Sequence, residues 1–243
     1  MARRLSNIRL VTFDLYDTLY TPRDPIGVVY TEPLWRLGID VSEATMRRGF
    51  AEAHKHMRAH YPNYGFGRMS SHEWWQQVVA RAWRNAGVSA AQLASSPLVA
   101  AREGLIRRFA TDEGYRMYDD VPGLLRYVRR RGIKTGVISN MDEAAESVLD
   151  GLGIRSYFDF VLKSVTAGIE KPNPRIFEMA LDAVSIPPYD ALHVGDSEAL
   201  DYAPARGVGM EARIVCRGPD AARLVAEHPD KYIASLGALA RIV

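Results

Sequence analysis

The sequence predicts an α/β protein, a doubly wound parallel sheet broken by an all-helical insertion. Three observations carry this. Short apolar runs at residues 8–13, 134–138 and 191–194 have the length and character of strands buried on both faces. Helical patterns separate the runs from about residue 115 onward, as right-handed parallel crossovers require. Between residues 21 and 114 the alternation stops and only helical periodicity remains. The predicted division is therefore 1–20 with 115–243 for the sheet unit and 21–114 for the helical insertion.

The first run ends abruptly at Asp14, and Thr18 follows four residues on. A buried strand that closes on a carboxylate places it at the carboxyl edge of the sheet, where open α/β sheets hold their ligands. The insertion then shows helical patterns at residues 28–37, 42–59, 70–86 and 97–110, with Ser42 as a helix start. Residues 61–67, Tyr-Pro-Asn-Tyr-Gly-Phe-Gly, read as a loop between them. Trp35, Trp74, Trp75 and Trp83 fall in the helical patterns and are expected to pack between helices.

Asp119, Asp120 and Pro122 open the next helix, whose apolar positions Val121, Leu124, Leu125 and Val128 keep helical spacing until Gly132. The strand at 134–138 delivers Ser139, and a helix is predicted over 142–149, closing at Gly151. A further strand is predicted at 158–162. Lys171 stands in a Lys-Pro-Asn-Pro turn ahead of a helix over 174–184. The run at 191–194 leads into Gly195-Asp196-Ser197, Asp201 follows, and a fifth strand is predicted at 212–215.

Composition bounds the function. The chain has 243 residues, 47% of them apolar and 25% charged, which is ordinary for a globular protein. A net charge of +2 gives no electrostatic case for nucleic acid or an anionic membrane. The single cysteine, Cys216, excludes an internal disulfide, fits a reducing compartment and is expected to be a small buried hydrophobe. No apolar run approaches the ~18 residues that span a bilayer. The expected location is the cytoplasm, with nucleus and mitochondrion left open. The basic residues 1–7 are too short a leader for a cleaved transit peptide before a strand at residue 8. The arginine clusters at 47–48, 107–108 and 129–131 read as solvated faces, and His54, His56, His60 and His72 as surface residues.

The stretch from Asp14 to Thr18, Ser139 after the second run, Lys171 in its turn and Gly195-Asp196-Ser197 with Asp201 together resemble the four motifs of the haloacid dehalogenase-like hydrolase superfamily. The order, with helices inserted after the first motif, is similar to the helical-cap subfamily, on a Rossmann-like core. Fragments Pro25-Ile26-Gly27, Tyr61-Pro62-Asn63-Tyr64-Gly65 and Trp74-Trp75 extend the resemblance into the insertion. It covers nearly the whole chain.

The resemblance implies Mg²⁺-dependent hydrolysis of a small phosphorylated metabolite. Asp14 is then the nucleophile, attacking phosphorus to form an aspartyl-phosphate that water hydrolyses. The metal ligands implied are Asp14, the backbone carbonyl of Tyr16 and Asp196, with Asp201 as a further or supporting ligand. Ser139, Lys171 and Thr18 hold the phosphate, Lys171 neutralising the anions at the transition state.

One position departs. Phosphatases of this superfamily carry an aspartate two residues beyond the nucleophile as general acid and base, and this chain has Tyr16. Such help is worth ~10²–10⁴ in rate, and a phenol of ordinary pKa ~10 replaces it poorly at neutral pH. A substrate with a good leaving group, such as an acyl phosphate, needs the acid less. Asp17 points the other way along the strand. A catalytically weak or inactive binding or assembly protein is therefore the alternative, and a protein partner stays open. The 2-haloacid dehalogenases also carry tyrosine here and rank third, because a second carboxylate at Asp196 opposes metal-free displacement by Asp14.

Overall fold

The computed structural model describes residue 5 and residues 7–243, so most of the basic 1–7 leader lies outside the described residues. The described strands are β1 (Leu10–Phe13), β2 (Tyr20–Pro22), β3 (Tyr115–Met117), β4 (Lys134–Ser139), β5 (Phe160–Lys163), β6 (Ala191–Gly195), β7 (Glu211–Val215) and β8 (Tyr232–Ile233). Six of them form one sheet in the order β5-β4-β1-β6-β7-β8, and its pairings are all parallel. The chain winds from β1 outward through β4 to β5, then crosses back to lay β6, β7 and β8 on the other side. This reversal puts the topological switch beside β1, and Asp14 leaves β1 at that point.

The chain packs as two units. One comprises the chain up to Thr21, Arg116–Met141 and Leu149–Val243, and holds the sheet. The other comprises Pro22–Tyr115 and Asp142–Val148 and is helical. The 142–148 segment, which the sequence assigns to the sheet unit, thus belongs to the helical one.

In the sheet unit every residue of β1 is buried. Leu10 and Ile138 pack with Ile176, Phe177, Ala180 and Leu181 of the helix Arg175–Val184. Val11 and Phe13 alternate with Leu10 and are fully buried as well. Both faces of β1 are therefore covered, as a continuous apolar run in a parallel sheet demands. The helix Val121–Arg130 buries the four apolar positions that the sequence marks, Val121, Leu124, Leu125 and Val128.

The helical unit is built on Ile26–Arg36, Glu43–His60, Ser71–Asn85 and Ser96–Phe109. Ser42 caps the second by accepting from Thr45 N. The third is capped by Ser70, whose hydroxyl accepts from Glu73 N while the Glu73 carboxylate returns to the cap. Several structural details differ from the sequence reading. Residues 61–67 contain a short turn of helix, Pro62–Gly65, in which Asn63 and Tyr64 take left-handed φ of 47° and 57°. Trp74 and Trp83 are buried as expected, but Trp35 is 44% exposed and only its indole N–H is engaged, donating to Val41 O. His54 is not a free surface residue: it stacks between Phe50 and Trp75. Cys216 is only partly buried. Arg47, Arg48, Arg107 and Arg129–131 are exposed, whereas Arg108 pairs with Asp24 at 2.6 Å. Among the described residues no helix is long and apolar enough to cross a membrane.

Candidate active site

The register builds the site. Phe13 lies beside Val137 of β4 and Val194 of β6, so the three central strands end together. Asp14 N donates to Val194 O at 2.9 Å, which carries the pairing one residue past β1. The Asp14 side chain therefore emerges between the ends of β4 and β6. Ser139, the last residue of β4, donates its hydroxyl to Asp14 Oδ1 at 2.8 Å.

Lys171 comes from the turn before the helix Arg175–Val184, and its backbone is gripped by one side chain. Asn140 Oδ1 accepts from Lys171 N at 2.7 Å, and Asn140 Nδ2 donates to Lys171 O at 2.9 Å. The Lys171 ammonium is 2% exposed and donates to Asp14 Oδ1 at 2.7 Å and to Asp201 Oδ1 at 2.6 Å. One buried cation thus joins two buried carboxylates, which is how such charges are tolerated in a protein interior.

Asp201 reaches this point because the chain after Ser197 makes a wide π turn, Glu198–Tyr202. The turn folds Asp201 back over Gly195, where Ser197 N donates to its Oδ2 at 3.0 Å. A Cβ built on Gly195 would stand 2.2 Å from Asp201 Cγ. Glycine here makes room for the Asp201 carboxylate itself. Gly195→Ala is therefore expected to cost at least about 1–3 kcal/mol of overpacking and to break the Lys171–Asp201 pair. Urea unfolding of the variant checks this, and an unchanged midpoint would refute the close approach.

Asp14, Asp196 and Asp201 each offer a carboxylate oxygen, and these oxygens lie within 4.8 Å of one another. The charges shape each other. Asp14 is pushed above the usual carboxylate range by burial and by Asp201, against the pull of Lys171 and Ser139. Asp201 is also buried, but Lys171 and His193 outweigh that and hold it below the usual range. The two anions in turn keep Lys171 above its ordinary value in spite of burial. Asp196 is exposed as a residue, yet its carboxyl is pushed up to about 7 by desolvation and by Asp14, Asp201 and Asp17. One lysine does not balance this many carboxylates. The excess of negative charge on hard oxygen donors fits a divalent cation of the Mg²⁺ type.

Tyr16 lies on the tight turn after Asp14, 41% exposed, with its phenol raised to about 12 by burial, Asp17, Tyr118 and Asp196. Asp17 takes a left-handed φ of 55° and accepts from Thr21 Oγ1 at 2.7 Å. Thr18 is not brought into the hydrogen-bonded cluster with Asp14. It is fully buried, and its hydroxyl has no partner among the described residues.

Three contributors escape a reading of the sequence. Asn140 grips Lys171, and His193 stands 3.2 Å from Asp201. Arg217 donates to Thr18 O at 2.6 Å, pairs with Asp120 and lies 3.6 Å over the Tyr118 ring. The one local signal was His193, a polar residue inside an otherwise apolar strand.

A buried Asp–Lys–Asp cluster thus stands at the switch point of a parallel sheet, with a third carboxylate beside it. A haloacid dehalogenase-like hydrolase family model matches residues 8–209, and the chain belongs to that family. It is 40% identical to haloacid dehalogenase-like hydrolase domain-containing protein 3 of Homo sapiens, over 91% of this chain and 86% of that protein. A phosphoserine phosphatase of Thermus thermophilus is 36% identical over 49% of this chain and 48% of its own. Among solved structures, a phosphatase of the same superfamily from Thermococcus onnurineus superposes with a TM-score of 0.66 at 23% identity, covering 95% of both chains. A 2-haloacid dehalogenase from Pseudomonas syringae pv. Tomato DC3000 does so with 0.64 at 26% identity, covering 97% of both.

Proposed function

We propose that this hydrolase acts on a small phosphorylated metabolite, with Asp14 as nucleophile and Mg²⁺ as cofactor. The observation that carries the reading is the crowd of carboxylates around the nucleophile: Asp14, Asp196 and Asp201 present oxygens within 4.8 Å of each other around a single lysine. A nucleophile ringed by like charge needs a counter-charge, and an anionic phosphoryl group needs it still more. Asp14 and Asp196 would hold the cation, with Asp201 in support and the Tyr16 backbone carbonyl as a further ligand. Bound Mg²⁺ would supply charge neutralisation for the carboxylates and for an anionic phosphoryl group.

The chain's own residues then divide the work. Asp14 Oδ1 is occupied by Ser139 and Lys171, and among the described residues Oδ2 has no hydrogen-bond partner. Asp14 attacks phosphorus, the bond from phosphorus to the leaving oxygen breaks, and the leaving oxygen takes up a proton from solvent water. Water then attacks the aspartyl-phosphate, frees Asp14 and releases phosphate. Ser139 and Lys171 orient Asp14 and meet the phosphoryl oxygens. A Tyr16 phenol near 12 keeps its proton at neutral pH and makes a poor base. Acyl phosphates, whose leaving group departs without a proton, therefore belong among the substrates to be tried. We assign the helical unit the part of the substrate-selecting cap.

The test is phosphate release from a panel of phosphomonoesters and acyl phosphates, with Mg²⁺ and with a chelator. Release is expected with Mg²⁺, lost on chelation and restored by adding the metal back. Release indifferent to chelator overturns the metal assignment. Silence across the panel favours a binding or assembly role, for which Tyr16 in place of an acid is the supporting observation. Metal-free halide release from 2-haloacids favours the dehalogenase reading.

A further inference from the structure

His193 is an expensive residue for its position. It sits in the middle of β6, the central strand beside β1, with no exposed surface. Leu192 and Val194 on either side are apolar, and an imidazole buried without partners would cost on the order of several kcal/mol. Both ring nitrogens are engaged. Nδ1 lies 2.9 Å from Thr12 Oγ1, and Nε2 lies 3.2 Å from Asp201 Oδ1. The ring stands edge-on to Phe177, centroids 5.1 Å apart, so it is packed as well as bonded.

The register explains the arrangement. Thr12 and His193 are direct neighbours in the parallel pairing of β1 and β6. Side chains two residues apart on a strand share a face. Thr12 therefore stands below Asp14, and His193 below Gly195. Gly195 has no side chain, and the Asp201 carboxylate fills the place that a Cβ would take. The His193 ring thus meets Asp201 from beneath, at the oxygen that also receives Lys171.

We infer that His193 is a positioning residue for this site: as the Nε2–H tautomer it donates to Asp201 and fixes the carboxylate that holds Lys171 against Asp14. The chemistry selects the tautomer. A carboxylate only accepts, so the nitrogen facing Asp201 carries the proton, and Nδ1 accepts from the Thr12 hydroxyl. Without this donor, Asp201 Oδ1 keeps only Lys171, and Ser197 N at Oδ2 is the one remaining brace against rotation of the carboxylate among the described residues. The Lys171–Asp14 geometry and the spacing of the three carboxylates turn with it. The metal arm of the test rests on the function proposed above; the tautomer arm does not.

Two measurements on the full chain without substrate decide it. Nitrogen-15 NMR of the histidine rings near neutral pH is expected to show His193 protonated at Nε2 only; a ring protonated at Nδ1 only overturns the inference. Calorimetric Mg²⁺ titration compares the wild type with His193→Phe, which keeps the ring volume and loses both nitrogens, and with His193→Gln, which keeps an N–H donor. Loss of an outer partner of a metal ligand typically costs 10–100-fold in affinity, so about a tenfold loss or more is expected for Phe and recovery of most of it for Gln. A folded Phe variant that binds Mg²⁺ like the wild type overturns the inference. Should the Phe variant not fold, Thr12→Val removes the hydroxyl that fixes the tautomer: weakened Mg²⁺ binding supports the inference, and unchanged binding overturns it. A wild type that binds no Mg²⁺ overturns the metal reading instead, and the tautomer alone then decides the role of His193.

Discussion

Asp14→Asn is expected to abolish turnover, by between about 10⁴- and 10⁶-fold if it behaves like other lost nucleophiles, while leaving the protein at least as stable as the wild type at neutral pH. Asparagine keeps the shape of the side chain and an oxygen to accept from Ser139 and Lys171, but it cannot form the acyl phosphate. The stability half follows from the charge count. Burial and Asp201 hold the folded-state pKa of Asp14 above the usual carboxylate value. As pH rises past the unfolded value of about 3.9, the unfolded chain gives up this proton first. The folded state loses ground until the pH passes its own higher pKa. Asn removes that slope, and Lys171 still has Asp201 as its partner. Urea unfolding at pH 4 and pH 7 should therefore show the variant gaining on the wild type as pH rises. Retained turnover would sink the nucleophile assignment. A variant less stable at pH 7 than at pH 4, relative to the wild type, would show that Lys171 needs both carboxylates. A residue kept at a cost in stability is what a functional site is expected to contain.

What the sequence makes legible is local. The apolar run before Asp14, the helical spacing of Val121, Leu124, Leu125 and Val128, and the Ser42 cap are each written within a dozen residues, and each appears in the structure. Strands β2, β3 and β8 were not legible. They are two or three residues long, too short for any period to show. The site divides in the same way. Asp14, Ser139, Lys171, Asp196 and Asp201 stand at strand ends or turns, where a polar residue after an apolar run is conspicuous. Their partners do not. His193 is 181 residues from Thr12, and Arg217 is 199 residues from Thr18. The register of β1 on β6 brings the first pair together, and loops beyond the ends of β1 and β7 bring the second. Thr18, whose spacing from Asp14 points to a ligand-facing hydroxyl, is fully buried, and that hydroxyl has no hydrogen-bond partner among the described residues. The Asp142 carboxylate, which accepts from the Trp75 indole at 2.7 Å, was equally unreadable as a member of the helical unit.

Lys171→Met is expected to be the most destabilising single change in the sheet unit, by roughly 3–5 kcal/mol at neutral pH, the range seen when one partner of a buried ion pair is removed. Methionine fills much of the space of the lysine stem, so the loss reports charge more than volume. Asp14 and Asp201 remain buried with no cation between them. Asp201 now sits below the usual carboxylate range, held there chiefly by Lys171 against burial. With the lysine gone, burial and the neighbouring Asp14 push it up instead. A carboxyl whose folded pKa lies above its unfolded value destabilises the fold increasingly as pH rises from about 4. The deficit of the variant should thus be largest near pH 7 and shrink as pH falls toward 4, because a protonated carboxyl needs no counter-charge. The wild type has the opposite dependence at Asp201, whose depressed pKa adds stability that is lost only as the pH falls below the usual carboxylate range. Denaturant unfolding across this interval separates the two. A deficit of the same size at every pH would mean that lysine is needed for packing, and that the cluster is not an electrostatic one. The double variant Lys171→Met with Asp14→Asn sharpens the comparison. Removing one of the two orphaned anions should recover part of the loss, because the two changes share a partner and cannot be additive. Mg²⁺ should act in the same direction on the single variant. If Asp14, Asp196 and Asp201 bind the cation together, saturating metal raises the stability of Lys171→Met by mass action, in a site that has lost its resident positive charge.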